Sequence, residues 1–151
     1  MSEERTFIAI KPDGVQRGLV SQVLARFESR GYKLVGIKVI KPTKDLLHKH
    51  YAEHVEKSFF PKLISYMMSG PIVATVWEGK DVILQGRAIL GATNPLKSAP
   101  GTIRGDFAID MGRNVCHGSD SVESANREIN LWFKKEELID WESTNAPWIY
   151  E

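Results

Sequence analysis

Four short runs of strand-type residues, separated by segments whose apolar residues recur at helical spacing, constrain this chain more than any other feature of it. The first run, Arg5 to Lys11, carries Phe7-Ile8-Ala9-Ile10 and stops at Pro12-Asp13-Gly14. A helix follows with Val20, Val23, Leu24 and Phe27 on one face, and Gly31 stands at its C-terminal cap. Lys33 to Lys41 reads as a strand with Val35, Ile37 and Val39 on one side, closed by Pro42. Thr43 is placed to cap a helix containing Leu46 and Leu47, and a second helix spans about 61–68 and ends before Gly70-Pro71. Ile72 to Trp77 has the composition of a buried strand. Asp81 stands at the N-cap of a helix from Val82 to Leu90, which Gly91 ends. A short strand is expected near Val115 to His117. A last helix follows, capped by Asp120, with Val122, Ala125, Ile129 and Trp132 or Phe133 inward.

This order makes two βαβ units in series. The expected fold is α/β in content and α+β in layout: a ferredoxin-like βαββαβ sandwich, an antiparallel four-stranded sheet with helices on one face. The alternative is a small doubly wound parallel sheet. Residues 1–151 read as a single domain with two irregular parts, a loop over 92–114 and a tail over 142–151. A structureless loop that long is uncommon and usually functional. A chain of 151 residues buries about 70% of its unfolded surface and needs neither disulfide nor metal to fold.

Net charge is +1, with 26% charged and 42% hydrophobic residues. That balance excludes disorder and argues against nucleic acid as the main partner, since coating phosphates requires a large basic excess. A single cysteine, Cys116, fits a reducing compartment and reads as a small apolar core residue. The start, Met1 to Arg5, is acidic and lacks the apolar stretch of a signal peptide, and no apolar run approaches the ~20 residues of a membrane span. The expected address is the cytoplasm.

The segment Asn114-Val115-Cys116-His117-Gly118-Ser119-Asp120-Ser121 carries the strongest chemical signal. It sets a histidine at a strand end, beside a glycine that frees the turn and ahead of a helix start whose N–H groups attract anions. Imidazole is largely neutral at cell pH and is a competent nucleophile. On these residues alone, a polar turn with an exposed histidine remains open. Further on-motif blocks are Lys11-Pro12-Asp13-Gly14, Gly86-Arg87, Gly91-Ala92-Thr93-Asn94-Pro95 and Pro100 to Phe107, with the tail Ala146 to Glu151.

Together these blocks resemble, in order and spacing over essentially the whole chain, the nucleoside diphosphate kinase family, with a tail similar to that of eukaryotic members. The resemblance implies ping-pong transfer. The γ-phosphate of a nucleoside triphosphate, mainly ATP, passes to Nδ1 of His117 and then to a nucleoside diphosphate. It also implies roles. Lys11, Arg87 and Arg104 contact phosphates. Tyr51, Thr93 and Asn114 surround phosphates and ribose. Phe59, with Leu63 and Met111, lines the base cleft, and a flat apolar contact accepts any base. Glu128 and Ser119 hold the ring of His117. Mg2+ is expected to arrive with the nucleotide and be held mainly by its phosphates, with no protein metal site. A homohexamer is expected, and Trp141 and Trp148 are apolar groups that one domain need not bury. Met111 stands where many members carry Val. No family catalytic position is lost.

Other signals fall away. There is no phosphate-loop motif and no protein-kinase triplet. His48, His50 and His54 cluster, and His50 and His54 stand one helical turn apart, but no Glu directly follows His50 and no third ligand joins that pair, so they read as solvated surface. The competing function is a family member that acts chiefly as a nucleic-acid- or protein-binding regulator. A further reading is a catalytically silent relative.

Overall fold

The structure of the protein, a computed structural model, describes residues 3–151. Met1 and Ser2, the beginning of the acidic N-terminal segment, lie outside the described residues. In chain order the elements are β1 (Arg5–Ile10), α1 (Pro12–Gln16), α2 (Val20–Arg30), β2 (Lys33–Ile40), α3 (Lys44–His50), α4 (Phe60–Met67) and β3 (Ile72–Glu78). They continue with α5 (Val82–Leu90), α6 (Ile103–Phe107), β4 (Cys116–Gly118), α7 (Val122–Trp132) and α8 (Ala146–Ile149).

The four strands form one sheet in the order β2-β3-β1-β4, and every neighbouring pair is antiparallel. This is the expected split-βαβ topology; the parallel alternative is excluded. The expectation that helices cover one face is wrong. Phe7, Ala9, Val35, Ala74 and Val76 pack on one side with residues of α3, α4 and α7. Ile8, Ile10, Val73 and Trp77 pack on the other with α2 and α5, where Phe27 stacks on Trp77 at 5.3 Å. With both faces buried, β1 and β3 must be apolar at successive positions, which is why their runs do not alternate.

Several local expectations hold. Gly31 caps α2 at φ 114, and Thr43 Oγ1 accepts from the Leu46 N–H. Others are corrected. Strand β2 carries a bulge between Leu34 and Gly36. The extra residue changes the side-chain alternation, so Val35 is buried while Ile37 and Val39 face outward on the edge strand, 47% and 70% exposed. Asp81 does not cap α5. It sits at φ 57, and the Ile83 N–H instead donates to Glu4 Oε2, 79 residues away in the chain. Ser121, not Asp120, caps α7, in a reciprocal box with Ser124, and Val122 faces solvent. The segment 92–114 is not structureless. It holds α6 and two 3-10 turns, and Arg17 and Arg26 brace it through the carbonyls of Phe107 and Gly101. The tail likewise contains the short helix α8.

Candidate active site

The site gathers at one end of β1 and β4. Ala9 faces His117 in the β1–β4 register, so the chain leaves β1 at Lys11 close to where it enters β4 at Cys116. Pairing thus joins two blocks more than a hundred residues apart. Lys11 Nζ donates to Asn114 Oδ1 at 2.9 Å, and the Lys11 N–H donates to the Val115 carbonyl at 2.8 Å. Burial, aided by the nearby Arg104 charge, pulls the Lys11 ammonium down to about 8. Asn114 is buried, and its amide N–H donates to the Thr93 carbonyl at 3.0 Å, which draws Thr93 into the group.

His117 projects from β4 toward α7. Its Nε2 lies 3.0 Å from Glu128 Oε1, and the same oxygen accepts the Ser119 hydroxyl at 2.6 Å. Burial acts to raise the Glu128 carboxyl, but its bonds to His117 and Ser119 and the His117 charge outweigh that and hold it below the usual carboxylate range. An ionised carboxylate only accepts, so Nε2 of His117 carries a proton toward Glu128, and whenever the ring has a lone pair it is on Nδ1. Ser119 and Glu128 are buried, while the ring keeps access to a cleft lined by Tyr51, His54, Arg87, Gly118, Asp120 and Arg127. The Glu128 contact thus decides which ring nitrogen of His117 can keep a lone pair.

The glycine beside the histidine has a different role from the one expected. Gly118 has no positive φ. A Cβ there would lie 2.8 Å from Leu90 and 3.1 Å from Ile8, so its absence lets α5 pack against β4. That packing places Arg87, on α5, within reach: its Nη1 donates to the Gly118 carbonyl at 3.2 Å. Three N–H groups around the start of α7 are already engaged within the chain. The Asp120 and Ser121 N–H groups donate to Ser124 Oγ, and the Ser124 N–H donates to Ser121 Oγ.

Arg104 is more committed than a simple phosphate clamp. It is buried, and its guanidinium donates to three carbonyls: Gly91 at 2.9 Å, Cys116 at 2.7 Å and Asn114 at 3.3 Å. Three of its five N–H groups therefore tie the 92–114 segment to β4, and two remain for a ligand. Phe59 stands half exposed at the start of α4, with Lys57 Nζ 5.7 Å from its ring centre and the His54 ring 5.5 Å away. Leu63 is partly buried against the core, and Met111 is exposed on a 3-10 turn. Tyr51 packs edge-on against His50 at 4.6 Å.

His50 is the residue that the sequence reading misplaced. It is buried, not solvated, and its ring centre lies 4.8 Å from that of His117. Burial and the His117 charge push it down to about 3, so it is neutral at any ordinary pH. His50, His117 and Glu128 bring ligand-type atoms within 4.8 Å of one another. They do not form a ready metal centre. The indole N–H of Trp132, which only donates, points at His50 Nδ1 from 3.0 Å. That occupies the lone pair of one nitrogen and leaves the proton on the other.

The model of the family described as nucleoside diphosphate kinase matches residues 4–138. The chain belongs to that family. A nucleoside diphosphate kinase of Eremothecium gossypii is 80% identical over 151 residues, covering all of both chains. One from Saccharomyces cerevisiae is 78% identical over 98% of this chain and 97% of its own. Among solved structures, a nucleoside diphosphate kinase of Halobacterium salinarum in complex with CDP superposes with a TM-score of 0.96. It shares 48% identity over 99% of this chain and 100% of that one. A family protein from Babesia bovis gives a TM-score of 0.95 at 48% identity, covering 97% and 99%. The chain is thus an enzyme, a nucleoside diphosphate kinase that moves a terminal phosphoryl group between nucleotides. The comparisons give no support to a chiefly regulatory binding protein. Among the described residues, no helix is long and apolar enough to cross a membrane.

Proposed function

We propose that His117 carries the phosphoryl group in this reaction. The observation that carries the reading is the Glu128 bond to Nε2, which leaves Nδ1 as the nucleophilic nitrogen of a ring that lines the cleft. In the first half-reaction Nδ1 attacks the γ-phosphorus of a nucleoside triphosphate. The bond to the β–γ bridging oxygen breaks, and the diphosphate leaves with that electron pair. In the second half-reaction the terminal oxygen of another diphosphate attacks the same phosphorus, and the electron pair returns to Nδ1. Charge develops on phosphate oxygens throughout, so Lys11, Arg87 and the two free N–H groups of Arg104 serve by neutralisation and aim. Asn114, Thr93 and Tyr51 complete the polar wall. Phe59, with Leu63 and Met111, supplies an apolar face for the base, and the CDP held by the halophilic relative is a ligand of this kind.

The donor set fits an ion carried by the substrate. The carboxylates nearest His117 and Lys11 are engaged: Glu128 by His117 and Ser119, and Asp13 by Val115. Mg2+ bound to the nucleotide phosphates would shield their charge. One catalytic domain over 1–151 carries these parts, with the 92–114 segment and the 142–151 tail as its attachments. A homohexamer accords with the outward Ile37 and Val39 of β2 and with Trp148, 89% exposed, and the buried lone thiol of Cys116 accords with the cytoplasm.

The test is intact-protein mass spectrometry after mixing with Mg2+ and ATP. One acid-labile, base-stable phosphoryl group that discharges to GDP is expected. A protein that stays unmodified contradicts the reading. Light scattering that reports a stable monomer contradicts the assembly.

A further inference from the structure

Val115 holds an unfavourable backbone conformation between two residues of the site. Its φ is 76, and the Cys116 N–H reaches back to the Asn114 carbonyl at 2.9 Å. That closes a three-residue γ-turn in its strained, positive-φ form. A β-branched residue in this region is a true outlier, and such outliers persist only where the surroundings hold them.

The restraints converge from three parts of the fold. The Val115 N–H donates to Asp13 Oδ2 at 3.0 Å, and its carbonyl accepts the Lys11 N–H at 2.8 Å. Its side chain is fully buried. The other oxygen of Asp13 accepts the Tyr66 hydroxyl. Burial and Asp13 both raise the Tyr66 phenol, which keeps it protonated and donating. The Arg113 guanidinium lies over the Tyr66 ring, 4.3 Å from its centre. Asp13 on α1, Tyr66 on α4 and the γ-turn before β4 therefore make one clamp, and no part of it faces the cleft beside His117.

We propose that Asp13 is a positioning residue for phosphoryl transfer: oriented by Tyr66, its carboxylate holds the Val115 γ-turn and so fixes the spacing between the Lys11–Asn114 pair and His117. The proposal rests on His117 as the phosphoryl carrier. Without the carboxylate, the turn relaxes toward negative φ, and Asn114 shifts relative to a histidine that β1 keeps in place. Displacements of about 1 Å in a transfer site can cost ~100-fold in rate. The chemistry also predicts a rescue. In Asp13→Asn the amide oxygen accepts from Val115 and the NH2 group donates to the Tyr66 oxygen, so both contacts survive. In Asp13→Ala neither does.

The experiment is rapid-quench phosphorylation of His117 by Mg-ATP in a single turnover, on native protein, D13A, D13N and Y66F, with melting temperatures taken in parallel. D13A is expected to lower the maximal rate by about 100-fold while the ATP dissociation constant moves by less than about threefold. Y66F lowers the rate by several-fold, and D13N stays close to native. A native maximal rate in D13A overturns the proposal even if its melting temperature falls, because Asp13 then only stabilises the fold. Should D13A fail to assemble, a native rate in Y66F overturns it. D13N as slow as D13A also does so, since charge and not the held turn is then what matters. If the native protein itself gains no phosphoryl group, it is the reading of His117 that fails.

Discussion

Glu128 Oε1 lies 3.0 Å from Nε2 of His117 and receives the Ser119 hydroxyl at 2.6 Å, so one buried oxygen sets both the tautomer and the orientation of the ring. A charge-assisted hydrogen bond of this kind is worth roughly 1.5–3 kcal/mol, or about 10–100-fold in rate. Glu128→Ala is therefore expected to slow phosphorylation of His117 by that factor, with a smaller change in nucleotide affinity. Rapid-quench kinetics read both quantities. Loss of affinity at an unchanged rate would show that Glu128 does not act through the ring.

Arg104 is tied to three backbone carbonyls, and lysine offers no planar fork to replace it. Arg104→Lys is expected to cost about 3 kcal/mol and to lower the unfolding midpoint by about 5–10 °C, in addition to any loss of activity. Calorimetry checks this. An unchanged midpoint would mean that the guanidinium serves the nucleotide alone.

His50 makes acid stability a readout of burial. Its folded pKa of about 3 lies below its ordinary value, so below about pH 6.5 the unfolded chain takes up a proton that the folded protein refuses. Stability supplied by this group is thus lost as pH falls from about 6.5 toward 3, by at most ~1.4 kcal/mol per pH unit. Glutamine can accept the Trp132 N–H but does not titrate. In urea denaturation at pH 7 and pH 4.5, His50→Gln is expected to show the smaller loss. Equal losses would place His50 in contact with solvent.

Phe59 presents a half-exposed ring and no polar group to a base. Base–aromatic stacking is worth ~1–3 kcal/mol, so Phe59→Ala is expected to raise KM about tenfold for purine and pyrimidine substrates alike. A loss confined to one base would contradict a stacking role.

The residues proposed to handle phosphate were legible because they sit in short blocks around glycine and proline, where a turn and a reactive type of side chain occur together. The residues that support them were not. His50 and His54 stand one helical turn apart, which looks like a wet face. Nothing local announces that Trp132, 82 positions away, lies over His50. The capping of α5 by Glu4 and the bulge in β2 escaped for the same reason: each depends on a neighbour distant in the chain. The clamp of Asp13 on Val115 is another case, since two ordinary residues become special only when β1 and β4 pair.

The sequence by itself determined the four strands, the principal helices, the split-βαβ order and the motif blocks that hold His117, Lys11, Arg87 and Arg104, because apolar period, turn residues and family motifs are local properties of the chain. Tertiary structure alone decided that both faces of the sheet are covered, that Nε2 of His117 is occupied and Nδ1 free, that Arg104 is largely bound to backbone, and that His50 is buried and neutral. These depend on burial and on hydrogen-bond partners, and only the folded chain brings such partners together.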